Sequence, residues 1–172
     1  MGPYVIATLY FSFSISTFFA PQFVKCLKYR CSLVIGSSAY TLFVLADLIP
    51  AAKEKYNKEG GIFSDASIYF LTCFTAFLLG FFSQVIWVAQ GSYFTEISDP
   101  RKLGISMSIL WIFFSSAYIL GSLLTALTYT EAFYFFILMA AISLLANIVF
   151  CFIPSPKGPH SQPEADSARH IK

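Results

Sequence analysis

Charge is what this sequence has least of. Only 12% of its 172 residues are Asp, Glu, Lys or Arg, about half the roughly 25% carried by an ordinary soluble domain. Such a chain cannot dress a water-facing surface. Its 57% apolar content, with twenty Phe, ten Tyr and two Trp, is more than one soluble core of this length hides. Disorder is thereby excluded for all but the ends. Histidine is nearly missing too: His160 and His170 both fall close to the C-terminus. There is no Gly-rich phosphate loop, and paired acids occur only between the apolar runs, so no enzyme, metal site or cofactor is expected. A net charge of +2, with no basic face studded by aromatics, excludes nucleic acid as a partner, because that affinity comes mainly from phosphate neutralisation. The four cysteines, Cys26, Cys31, Cys73 and Cys151, lack Cys-x-x-Cys spacing, which removes a disulfide framework or a zinc site. They read as packing residues of membrane helices, with reversible acylation of Cys26, Cys31 and Cys151 as a lesser alternative. The partners left are lipid and protein.

What is present is a succession of uncharged stretches. A bilayer needs about 20 apolar residues per helix, and the charges leave five such runs, at 4–20, 31–49, 66–95, 103–130 and 132–153. They predict an all-α membrane protein with five transmembrane helices. The first run ends at Pro21-Gln22 and a basic turn of Lys25, Lys28 and Arg30; the second stops at Pro50, just past Asp47. Between them and the third run, Lys53, Lys55 and Lys58 are offset by Glu54, Glu59 and Asp65, with a hinge-like break at Gly60-Gly61. The third and fourth runs exceed one perpendicular crossing, which predicts tilt or interfacial extension. Pro154-Ser155-Pro156 closes the bundle of residues 1–153, and 154–172 reads as a polar, flexible tail.

Met1-Gly2-Pro3-Tyr4 offers no basic n-region, and no cleavage site follows, so the first run is expected to be retained rather than removed as a signal. Ile6 stands where a myristoylation signal requires Ser or Thr. Lys and Arg number eight in the first turn, at Arg101-Lys102 and in the tail (Lys157, Arg169, Lys172), against three in the second loop. That asymmetry predicts an outside N-terminus and a cytosolic C-terminus. A plasma membrane or endomembrane location is expected, with the mitochondrial inner membrane as the remaining alternative.

Helices in lipid associate through small residues spaced four apart, which let backbones approach. Ser12, Ser16 and Ala20 form one such stripe and Ala117, Gly121 and Thr125 another, read first as helix packing and second as the lining of a pore or substrate path. Ser143 and Asn147 share a face of the fifth run, where an interhelical hydrogen bond is the default. In the third run Gln84, Trp87, Gln90 and Gly91 lie on adjoining rungs. Their amides need partners: another helix, a wet cavity or a ligand. Asp47, Glu96 and Glu131 sit at the edges of runs; Glu131 suits a helix start, and Glu96 and Asp99 suit pairing or capping beside Arg101 and Lys102. Asp47 is the deepest, and with Gln84 and Asn147 it would make a polar path.

The third run also carries a resemblance. Trp87-Val88-Ala89-Gln90-Gly91-Ser92-Tyr93-Phe94-Thr95 resembles the Trp-x-Ala-Gln-Gly-x-Tyr-Leu-Thr signature of the uncoordinated-ninety-three-like, ion channel regulatory family, a branch of the major facilitator superfamily. Leu9-Tyr10, Ser16, Pro21, the basic turn, Gly36 and Tyr40 are similar to that family's second and third helices. The resemblance implies that the five runs correspond to helices two to six of a twelve-helix protein, a truncated N-terminal half of a major facilitator fold. It makes Trp87, Gln90, Gly91, Tyr93 and Thr95 the candidates for a cavity or partner contact. One departure bears on the basic turn: Leu27-Lys28-Tyr29-Arg30 replaces the family's Leu-Gly-x-Lys, which weighs against a tight approach there. Five runs without a first helix leave a groove beside the first run. The resulting expectation is a noncatalytic membrane subunit that regulates, stabilises or escorts another membrane protein, such as an ion channel. The alternative is a half-size or fragmentary secondary transporter, working as an oligomer on an unknown small solute.

Overall fold

Apolar runs of this length have one economical way to satisfy their backbone in hydrocarbon, the intrasegment bonds of a helix. The computed structural model of the chain describes residues 2–57, 60–99, 101–128 and 132–154. Among them are α1 (Gly2–Tyr56), α2 (Asp65–Ile97), α3 (Leu103–Leu127) and α4 (Ala132–Phe152), with a short 3-10 turn, Gly61–Phe63, between α1 and α2. All four α-helices are long and apolar enough to cross a membrane, so this is a multi-pass membrane protein. The expected turn at 129–131 with Glu131, the residues Lys58, Glu59 and Pro100, and the tail from 155 onward lie outside the described residues.

The first two predicted runs both fall within α1, whose two helical arms join directly across a kink at Lys28 instead of through a loop. Neither proline ends a helix: Pro21 and Pro50 are inside it. A proline removes one backbone donor, and a membrane helix tolerates that loss when its neighbours hold it straight. The interruption falls instead at Lys28, with φ 62 and ψ 160, a region populated almost entirely by glycine. The position where the family pattern carries glycine thus keeps a glycine-like backbone while bearing lysine, and the tight turn persists.

Contacts with α2 show what the interruption does. Ser12 and Ser16 donate to the carbonyls of Phe77 and Phe81, at 2.5 and 2.6 Å, so the arm 2–27 runs parallel to α2. Tyr40 meets Ser83 at 2.7 Å and Lys53 pairs with Asp65 at 2.6 Å, so the arm 29–56 runs antiparallel to it. The chain reverses at Lys28. A core lies beside the reversal, where Ala20, Val24, Leu33, Val85 and Ala89 are buried together. Two glycines set the approach of the arms. A Cβ on Gly80 would lie 2.2 Å from the Leu9 carbonyl oxygen, and one on Gly36 would lie 2.8 Å from Ile86 Cβ.

The second run also overshoots its predicted end. It continues past Pro50 to Tyr56, where Asn57 takes a left-handed φ of 47, a conformation asparagine tolerates at helix ends. Gly60 and Gly61 follow with φ of 89 and 58, and Ser64 caps α2 by accepting from the Ser67 amide at 3.3 Å. α4 docks on the arm 29–56. Near the other end of that interface, Lys55 sits 3.6 Å from the centroid of the Tyr134 ring. α3 is different: none of its residues is buried.

Candidate functional site

The recurrent polar side chains of the first run serve packing. Ser12 and Ser16 are fully buried, and each donates to a carbonyl of α2 that already takes part in the helix ladder; Ala20 continues the stripe into the core. The second stripe behaves otherwise. Among the described residues, Ala117, Gly121 and Thr125 meet no helix of the kind the first reading of their spacing expects; a Cβ built on Gly121 meets nothing within 4 Å. They face a cavity of about 680 Å³ lined by both arms of α1, by α2 and α3, and by Met139 of α4. The small side chains leave that space open because nothing opposite fills it.

Six aromatic side chains line the cavity. Trp87 stacks with Trp111 at 6.1 Å between centroids and meets Phe114 edge-on at 4.9 Å. Tyr10 and Tyr118 line other sides. The Tyr40–Ser83 pair supplies hydroxyls to the same cavity. Rings that stack on a flat apolar or cationic group, with two hydroxyls to orient it, are the usual furniture of a small-molecule site. Tyr40 and Ser83 were not singled out for this role by the spacing of the third run; Ser83, four residues before Trp87, was the available signal.

The signature residues do not converge. Trp87 faces α3. The Tyr93 ring sits against Tyr29, centroids 6.2 Å apart, while its hydroxyl donates to the Pro154 carbonyl at 3.2 Å, tying the end of α2 to the end of α4. Thr95 donates to the Gly91 carbonyl at 2.8 Å within its own helix, and Gly91 has open space around it. Gln84 and Gln90 are half-buried, and neither side chain has a hydrogen-bond partner among the described residues. Nearby, Asp99 accepts from the Arg101 amide at 2.9 Å, a local turn contact.

The residues proposed as a polar path are likewise spread out. Asn147 belongs to a cluster between the arm 29–56 and α4: its Nδ2 donates to Thr41 at 2.7 Å, its Oδ1 accepts from Ser37 and from Ser38, and Thr41 meets Ser143 at 2.6 Å. This is the interhelical bonding expected of Ser143 and Asn147, now with its partners. Ser37 and Thr41, one turn apart, were the unread half of the signal. Asp47, half-buried, makes no ion pair or hydrogen bond with a described residue. Asp47 and Gln84 do not line the aromatic cavity, and neither does Asn147. No group of three His, Cys, Asp or Glu side chains that could hold a metal occurs among the described residues.

The chain is 26% identical over 135 residues to UNC93-like protein 3 of Arabidopsis thaliana, covering 73% of this chain and 25% of that protein. It is 24% identical over 170 residues to UNC93-like protein MFSD11 of Xenopus laevis, covering 94% of this chain and 34% of the relative. The Xenopus tropicalis protein of the same name is 23% identical over 165 residues. The chain thus spans a quarter to a third of the length of these relatives. No solved structure matches it. A family model described as ion channel regulatory protein UNC-93 matches residues 1–171, and the chain belongs to that family.

Proposed function

We propose that the chain is a noncatalytic membrane subunit of the facilitator type that packs on another membrane protein, such as an ion channel, and regulates, stabilises or escorts it. The observation that carries this reading is α3. A helix with no buried residue, whose Trp111, Phe113 and Ile119 are 56%, 72% and 70% exposed, offers a lateral face that the rest of the chain leaves uncovered. The family description supports the regulatory role. The two opposed arms of α1 support counting five crossings, in the manner of half a facilitator bundle. The basic turn and Arg101-Lys102 then lie on the cytosolic side, with the C-terminus. Of the signature residues, Trp87 and Tyr93 are those through which a partner's influence would reach the bundle, because they join α2 to α3, α4 and the reversal, while Gln90, Gly91 and Thr95 remain candidates for direct partner contact.

The test is a photoreactive side chain placed at Phe113 or Ile119 in the membrane of origin. The expected result is a discrete crosslink to one membrane protein, absent when the probe stands at the buried Ser12. A purified, monodisperse monomer with no crosslink from either α3 position would sink the proposal.

A second reading, transport of a small solute by an oligomer, is favoured by the cavity of about 680 Å³ and its hydroxyl pair. Solute uptake into proteoliposomes that is abolished by Tyr40→Phe or Ser83→Ala would establish it.

A further inference from the structure

At the reversal of α1 lies a second cavity, of about 400 Å³, unrelated to the aromatic one. Lys25, Lys28 and Glu96 bring charge to its wall, and Pro21, Val24 and Val88 bring apolar surface. Glu96 interacts with the Tyr29 hydroxyl. Neither lysine has an ion-pair or hydrogen-bond partner for its ammonium among the described residues. Lys28 lines the cavity while holding φ 62 and ψ 160, a backbone that glycine would adopt freely. Strain at a residue that also lines a cavity points to a task for its side chain. The cavity combines a net charge of +1, from two lysines and one carboxylate, with an apolar wall where the chain turns back.

We propose that this cavity binds the phosphodiester of an anionic phospholipid head group, with Lys25 and Lys28 as its cationic ligands. A single excess charge is matched by a monoanionic phosphodiester better than by a phosphate that carries up to two charges. The apolar wall of Pro21, Val24 and Val88 suits the glycerol and the upper acyl chain. Lysines whose stems lie along apolar surface while their heads stay in water are suited to the membrane edge, where basic pockets between helices take lipid head groups. The site rests on taking the reversal as a membrane-edge turn.

The experiment is native mass spectrometry of the full chain, purified in mild detergent and supplied with phosphatidylglycerol or phosphatidylcholine. One retained phosphatidylglycerol is expected, with weaker retention of phosphatidylcholine. Lys25→Gln and Lys28→Gly should each cut retention about five-fold, and Lys28→Arg should restore it. Lys28→Gly relieves backbone strain, so its melting temperature should rise while lipid is lost, a pairing that a folding defect cannot produce. Undiminished retention in both Lys25→Gln and Lys28→Gly overturns the site. Displacement of the lipid by millimolar inorganic phosphate overturns the lipid assignment in favour of a soluble anion. Cys26 and Cys31, both exposed beside the turn, check the membrane placement separately. A membrane-impermeant maleimide should label them from one side only, and protection from both sides would refute the edge position whatever the lipid result.

Discussion

At Lys28 and Gly80 single residues set the geometry, in opposite ways. Lys28 holds a strained backbone without being glycine, and relief of such strain is worth about 1–3 kcal/mol, offset by about 0.5–1 kcal/mol for glycine's freedom in the unfolded chain. Lys28→Gly should therefore stabilise the protein by about 1 kcal/mol, read as a higher melting temperature in detergent. Gly80 is the converse, a glycine with no room for a methyl group beside the Leu9 carbonyl. Gly80→Ala should destabilise by about 1–3 kcal/mol through overpacking. Gly121→Ala, facing open space, should be neutral or slightly favourable, since alanine is the better helix former by up to about 1 kcal/mol. Small-residue spacing alone does not separate these two glycines. Both sit in apolar runs, and only the position of the opposing helix decides which one is a contact.

Between helices, polar bonds replace the hydrophobic drive that lipid does not supply. The Ser37, Ser38, Thr41, Ser143 and Asn147 cluster fastens α4 to the arm 29–56. Asn147→Leu should cost about 0.6–2 kcal/mol, and a double-mutant cycle with Thr41→Val should recover a comparable coupling from melting curves in detergent. A coupling near zero would mean that apolar contact holds α4. Element existence was legible from charge spacing: each predicted run is helical over most of its described length, though α3 and α4 stop at Leu127 and Phe152, short of the predicted ends. Element ends were less so. Pro21 and Pro50 look like stops, yet a helix flanked by others can lose one donor and continue, so the interruption settled at Lys28 instead. The packing role of Ser12 and Ser16 was readable from their spacing. The divergent faces of the Trp87 to Thr95 signature were not, because a nine-residue stretch of helix turns through every direction.

For the molecule as a whole, the division is between a packed set, formed by both arms of α1 with α2 and α4, and the loosely attached α3. Ring contacts from Trp87 to Trp111 and Phe114 are the visible link. Gly121→Cys should react with a small water-soluble thiol reagent much faster than Ser16→Cys, because one faces the cavity and the other is buried against α2. Equal rates would show that the cavity is filled. Composition made the membrane legible, and the signature made the family legible. The openness beside α3 was not, since an apolar helix reads alike whether it faces protein or lipid.

The reversal at Lys28 has a practical outcome for handling the protein. Proteases cut at exposed loop tips, and a chain that turns back within a single residue presents none, although Lys25, Lys28 and Arg30 supply trypsin with three target residues. Brief trypsin treatment should therefore spare the reversal, so that the two arms stay covalently joined in one piece.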